Sequence, residues 1–262
     1  MPEEDRVPLD EAALARAVIR PGALYRELRV TGRTGSTNAD LLELARAGAG
    51  EGVVLVTEEQ TAGRGRIGRT WVSPPRASLL FSVLLRPAAV PGHRRGWLPL
   101  LTGMAVASVL RGAGLDASLK WPNDVLIRGM KVAGILTEQA GDAIVVGAGI
   151  NVTTRPSELP PGPATSLLAS GAACTARDAL LIAVLGELER RYRCWLDDPG
   201  DPQLRSSYRE LSGTVGREVR VELPGGPVLA GTAADVDDVG RLVVRTASGE
   251  TAVSAGDVVH VR

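Results

Sequence analysis

The chain has 262 residues, enough for one large domain, or a large and a small one, with a core that needs no staples. Thirty basic side chains balance thirty acidic ones, so the net charge carries no footprint of a nucleic-acid partner. Cys174 and Cys194 are too few for a disulfide framework, no apolar run reaches the roughly 18 residues of a membrane span, and the start lacks the apolar core of a signal peptide, so a cytoplasmic enzyme with free thiols is expected.

After an acidic start, Asp10 is placed to cap a short helix running through Ile19, which Pro21 and Gly22 end. Residues 25–30 read as a strand, and residues 34–48 as a turn into a helix that Ser36 or Thr37 caps and Gly48 stops. Residues 53–60 form a second buried strand, a loop of glycine and arginine follows, and residues 77–86 make a long third strand. Residues 97–111 have helical apolar spacing. Residues 119–127, 132–140 and 143–152 read as strands, the last two joined as a hairpin at Gly141 and Asp142. Helices over 176–196 and 204–211 close this part, and strands and helices in unequal alternation indicate an α+β fold with a mixed sheet. From Val215 the texture changes to short strands divided by glycine turns, a small barrel with a boundary at Ser212 and Gly213. The expected domains are therefore residues 1–212 and 213–262.

Of the thirty basic residues only Lys120 and Lys131 are lysine, and both lie in the segment KWPNDVLIRGMK. A coding preference for arginine explains the scarcity but not the placement. An ammonium is a compact point charge on a thin stem, and a site that needs one cannot take a guanidinium instead.

Gly63, Gly65 and Gly68 in GRGRIG match the dinucleotide pattern GxGxxG literally. That fingerprint needs a helix to start there, whereas RTWVSPPR has two prolines and no helical period, and no GK[ST] follows to make a phosphate loop. What remains is Arg64, Arg66 and Arg69 on a glycine-rich backbone beside Trp71. Guanidinium forks bind carboxylate or phosphate, and an indole stacks on a purine, so the loop suits an anionic ligand.

These residues resemble the ordered motifs of biotin protein ligases: GSTN from Gly35 to Asn38, EQTAGRGRIGRTW from Glu59 to Trp71, KWPNDV from Lys120, KVAGILTE from Lys131 and GAGINV from Gly147. The resemblance implies an α+β catalytic domain related to class II aminoacyl-tRNA synthetases, with a small SH3-like domain at the C-terminal end. It implies a two-step reaction, in which biotin and ATP give biotinyl-5′-AMP and the biotinyl group then passes to a lysine of a biotin carboxyl carrier domain. Some members carry an N-terminal winged helix and repress operons. Only 35 residues precede Ser36, fewer than the roughly 50 of a small domain, so a monofunctional ligase that does not bind DNA is expected.

By the same resemblance Ser36, Thr37, Asn38 and Gln60 meet the biotin ring, with backbone from Gly63 and Gly65, while Gly134 and Gly149 leave room for ligand against the strands. Joining a carboxylate to ATP brings two anions together, so charge must be stabilised at the α-phosphate. Arg64 and Arg66 suit that task, Arg69 reaches the pyrophosphate side, and Lys131 is the charge expected to touch both carboxylate and α-phosphate. Lys120, Asn123, Asn151 and Trp71 are expected at the nucleotide, Trp71 as a stacker on adenine. Asp124 either holds Mg²⁺ brought by ATP or orients the acceptor lysine. His93 and His260 have no partners at metal or triad spacing, and no protein-built metal site is evident. The arginine loop is expected to be mobile until ligand orders it. The alternatives are a lipoate or octanoate ligase or transferase of the same superfamily and, from another class, a ligand-responsive regulator.

Overall fold

A computed structural model describes residues 6–223, 226 and 228–261. The acidic start, and the expected strand ends at Pro224, Pro227 and Arg262, lie outside these residues. In chain order the elements are α1 (Glu11–Val18), β1 (Glu27–Thr31), α2 (Thr37–Arg46), β2 (Val53–Thr57), β3 (Ser78–Leu85), α3 (Trp97–Gly112), β4 (Ala117–Lys120), β5 (Asp124–Ile127), β6 (Met130–Ala140) and β7 (Ala143–Asn151). Helices α4 (Arg177–Asp197) and α5 (Pro202–Leu211) follow. A second group comprises β8 (Glu218–Glu222), β9 (Val228–Val236), β10 (Leu242–Thr246), β11 (Gly249–Val253) and β12 (Asp257–His260).

The first group builds a seven-stranded sheet in the order β1-β2-β3-β7-β6-β5-β4. Only β1 and β2 run parallel; the other pairs are antiparallel, as an α+β chain with a mixed sheet requires. Strands β3 and β7 are buried along their whole length because helices cover both faces of the sheet centre. Leu41, Leu42 and Ala45 of α2 meet Leu55, Leu84 and Val145 on one face, and α3 and α4 cover the other with Leu98, Leu101, Met104, Leu181 and Leu188.

The second group is a five-stranded antiparallel sheet in the order β11-β10-β9-β8-β12. Its alternation is legible in β8, where Val219 and Val221 are buried between exposed Glu218, Arg220 and Glu222. It is fastened to the larger body through two buried indoles: Trp97 donates to the carbonyl of Asp238 at 3.1 Å and Trp121 to that of Gly240 at 3.1 Å. Among the described residues no helix is long and apolar enough to cross a membrane.

Two local expectations are corrected. Residues 119–127 are not one strand but a hairpin, β4 and β5, in which Lys120 is paired with Asp124. Pro122 has no N–H to give a ladder, so the chain turns there instead of continuing. At α2, Ser36 holds the N-cap position but its side chain makes no capping bond, and the Thr37 hydroxyl lies against Ser82 rather than the helix amides. The cap at Asp10 is made, with the Ala13 amide donating to Oδ1 at 2.9 Å, and Gly48 ends α2 at φ +92°. The β6–β7 hairpin closes Ala140 on Ala143 around Gly141 at φ +61°.

Candidate active site

The cleft lies on the α2 face of the large sheet, between the start of α2, the arginine loop, the β4–β5 hairpin and strand β12 of the small domain. Its volume is about 270 Å³.

The loop itself is a miniature hairpin. The Trp71 amide donates to the Gly63 carbonyl at 2.9 Å and the Gly65 amide to that of Arg69 at 2.6 Å. Its tip, Arg66–Gly68, carries Ile67 at φ +53° with the side chain exposed to solvent. At Gly63 a side chain is excluded, since a Cβ would stand 2.4 Å from the Trp71 carbonyl oxygen. Here the glycines serve a tight backbone turn that presents arginines, and no helix follows to make a dinucleotide site.

The three arginines take different partners. Arg64 pairs with Glu138 at 3.0 Å, Arg66 donates to the Asn123 side-chain carbonyl at 3.0 Å, and Arg69 forms an ion pair with Asp257 of β12. Burial pushes the Arg66 guanidinium below its ordinary value, against the opposing pull of Asp257 and Asp124. The loop is thus held at both ends of the cleft, by the large sheet and by the small domain.

At the hairpin end, Lys131 Nζ stands 2.7 Å from Asp124 Oδ1 and 5.8 Å from the centre of the Trp71 ring. Asp124 Oδ1 is shielded and has no well-directed hydrogen bond, so its contact with Lys131 is chiefly one of charge. The backbone of Lys131 is fixed by a segment outside the expected motifs. The Lys131 amide donates to the Pro163 carbonyl at 2.7 Å, and the Lys131 carbonyl accepts from the Thr165 amide at 2.8 Å.

Gly134 and Gly149 face each other across β6 and β7 and form a bare floor. The indole of Trp71 lies on it: a Cβ at Gly149 would come 2.6 Å from Cε2, and one at Gly134 3.0 Å from Cζ3. The space these glycines leave is therefore occupied by Trp71, and the lining falls into two groups, Thr37 with Gln60 beside Ser36, and Lys120 paired with Asp124 beside Asn123. In the first group the Thr37 amide donates to Gln60 Oε1 at 2.9 Å, and Asn38 packs on Gly147.

Of the residues expected to meet biotin or ATP, Gly63 and Asn151 do not line the cleft; the others do. Asn151 is buried and donates its amide to the Thr165 carbonyl at 3.0 Å. Residues not anticipated are Glu138, Asp257, Ser82 and the segment around Thr165. Glu138 falls in register with Gly134 and Leu136 along β6, a period of two that could have placed it on the cleft face. His260, assigned no chemistry, bonds the Thr214 hydroxyl at 3.0 Å, which also accepts from the Trp121 amide at 3.2 Å. Among the described residues no three His, Cys, Asp or Glu side chains converge as a metal cage.

Residues 30–154 match the family model described as biotin/lipoate A/B protein ligase family, and residues 214–261 match that of the biotin protein ligase C terminal domain. The chain is 48% identical to a biotin–(acetyl-CoA-carboxylase) ligase of Mycobacterium tuberculosis, with 100% of each chain covered. It is 32% identical to the bifunctional ligase/repressor BirA of Bacillus subtilis, over 85% of this chain and 70% of that one. In structure it is similar to a biotin protein ligase from Aquifex aeolicus in complex with biotin and ATP, at TM-score 0.77 and 28% identity over 91% of this chain and 100% of the other. It is also similar to the Leishmania major biotin protein ligase in complex with biotinyl-5-AMP, at TM-score 0.61 and 27% identity over 87% and 99%.

Proposed function

The chain belongs to the biotin protein ligase family, and on that premise we propose the division of labour within its cleft. It is an ATP-dependent ligase that activates biotin as biotinyl-5′-AMP and transfers the biotinyl group to a lysine of a biotin carboxyl carrier domain. A carboxylate oxygen of biotin attacks the α-phosphorus of ATP, the bond to the bridging oxygen of the β-phosphate breaks, and pyrophosphate leaves. The carrier amine then attacks the acyl carbon, AMP departs, and the amine gives up a proton.

The observation that carries this reading is the two-ended character of the cleft. Ser36, Thr37 and Gln60 offer uncharged donors and acceptors at one end, and Arg66, Arg69, Lys120 and Lys131 bring cations to the other. That polarity matches a ligand with a neutral ureido ring, an anionic tail and a triphosphate. Lys131, between the glycine floor and Asp124, is placed for the carboxylate and α-phosphate together. Arg66 and Arg69 face the leaving phosphates, with Lys120 and Asn123 beside them. Asp124, 2.7 Å from the amine of Lys131, is assigned to orient the incoming carrier lysine. Mg²⁺ would arrive with ATP and supply charge to its phosphates, with Asp124 a carboxylate of the cleft available to it, as suits a cation that dehydrates reluctantly and is seldom caged by protein alone.

Biotin-dependent pyrophosphate release from ATP, measured without carrier protein, tests the reading. Release with biotin and none with lipoate or octanoate is expected. Release with either of those acids and none with biotin would move the chain to the lipoate branch of the superfamily.

A further inference from the structure

Glu138 ends the motif KVAGILTE but was given no role in the sequence, and each of its carboxylate oxygens has a partner at the cleft. Oε1 pairs with Arg64 of the arginine loop at 3.0 Å, and Oε2 accepts from Asn38 Nδ2 at 2.8 Å. Asn38 Nδ2 also donates to the Leu136 carbonyl at 3.2 Å. With two acceptors before it, this side of the Asn38 amide must be the NH₂, since a flipped amide would place its oxygen against a carboxylate.

The donor count then runs one way. Asn38 Oδ1 faces the Ser82 hydroxyl at 2.6 Å, so Ser82 donates its single proton there. Ser82 Oγ lies 2.7 Å from Thr37 Oγ1, and with the Ser82 proton already placed, Thr37 must be the donor in that contact. Gln60 Oε1, which already accepts from the Thr37 amide at 2.9 Å, is a second acceptor for the same hydroxyl at 3.1 Å, and with either acceptor the Thr37 proton is used within the protein. Thr37 lines the cleft with its proton turned inward, so toward a ligand it offers lone pairs only. Ser82 and Asn38 are buried, so no solvent proton relaxes the chain of bonds, and Gly147 beneath Asn38 has no room for a side chain: a Cβ would lie 2.1 Å from Asn38 Oδ1.

We propose that Glu138 is a positioning and specificity-determining residue. It fixes the orientation of Asn38 and, through Ser82, makes Thr37 a hydrogen-bond acceptor for a ligand N–H, while its other oxygen anchors the loop through Arg64. The proposal rests on the biotin reading above, because a ureido ring carries N–H donors and the dithiolane of lipoate carries none. Arg64 accordingly serves as the loop's anchor, and Arg66 and Arg69 are left to meet phosphate.

The test compares biotin with its two cyclic carbamate analogues, in which a ring oxygen replaces one or the other ureido N–H, in pyrophosphate release. Against wild type, at least one carbamate should have a kcat/KM lower by about tenfold, the size of one lost hydrogen bond. In Glu138→Leu, Asn38 is held in its orientation only by the longer bond to the Leu136 carbonyl, and in Ser82→Ala the Thr37 proton loses its nearer acceptor and is shared between Gln60 Oε1 and the ligand. In either variant the preference for biotin should fall to less than about threefold, chiefly through KM for the acid, with KM for ATP changed less in Ser82→Ala than in Glu138→Leu. A preference kept at tenfold in a folded variant, or equal use of both carbamates and biotin by wild type, would overturn the proposal. Absence of biotin-dependent release from wild type would instead remove the reading beneath it.

Discussion

Replacing Lys131 by alanine separates the chemistry of the cleft from its stability. The side chains of Lys131 and Asp124 are 36% and 20% exposed, so their pair is screened by solvent, and such pairs are worth at most about 1 kcal/mol. Asp124 Oδ1 itself is shielded, so leaving it alone raises the expected cost to about 1–2 kcal/mol. In a chain of this size that is a Tm lower by roughly 2–8 °C. Loss of a charge aimed at the reacting phosphate costs much more in rate, about 10²–10³ in kcat, or 2.7–4 kcal/mol. Lys131→Arg keeps the charge and the contact with Asp124, so its Tm should stay within about 2 °C of wild type, yet the broad planar fork cannot occupy the place of a compact ammonium. Pyrophosphate release at 25 °C, with thermal melts of the same samples, checks both parts. Retention of more than half of the rate by Lys131→Arg, or a loss under about tenfold in Lys131→Ala, would refute the assignment.

Gly149→Ala should displace the indole of Trp71, because the new Cβ would stand 2.6 Å from Cε2; a change in Trp emission and a loss of activity of about tenfold or more are expected, and unchanged emission would contradict the glycine-floor geometry. Burial and the nearby charges of Lys120 and Arg217 push His260 down to about 4 from its ordinary 6.5. Because its folded value is depressed, its contribution is present above pH 6.5 and lost as pH falls toward 4, about 1–2 kcal/mol after allowing for partial exposure. His260→Gln should flatten the stability profile in that window, and urea melts at pH 7 and pH 4.5 compare the two. Ending the chain at Gly213 would leave Trp97 and Trp121 without the carbonyls of Asp238 and Gly240, so the truncated chain should fail to give a cooperative melt; an active, cooperatively folding product of truncation would count against this union of the two sheets.

The sequence made legible what depends on local pattern. Alternation and glycine punctuation placed the strands of both sheets and the Gly141–Asp142 hairpin, and residues kept for chemistry, such as the two lysines, drew attention to β4, β5 and β6. What stayed hidden depends on topology. Arg69 meets Asp257 across 188 positions, a pairing that no spacing rule reaches. Trp71 on the glycine floor, and Asn151 turned to Thr165 instead of the cleft, follow from how the loop and the segment after β7 fold back. The turn at Pro122 escaped because an apolar run flanked by polar residues reads as one strand, although a proline in its middle already spoke against a continuous ladder.

The balance of thirty charges against thirty conceals a strong local order. Within the cleft Glu138 neutralises Arg64, Asp257 neutralises Arg69 and Asp124 neutralises Lys131, whereas the direct side-chain partner of Arg66 is the uncharged carbonyl of Asn123. An arriving phosphate must break an ion pair to claim Arg64, Arg69 or Lys131, but it displaces only a neutral hydrogen bond at Arg66. Burial has already removed much of the water that would otherwise compete for that guanidinium, which strengthens its attraction for an anion. On the proposed assignment, Arg66 and Lys120, which have no ion-pair partner among the described residues, are therefore the cations a phosphate reaches without breaking an ion pair. On the same assignment, the paired cations would become available as their carboxylate partners are exchanged for phosphate, and the Arg69–Asp257 pair is a contact through which occupancy of the site would reach the small domain.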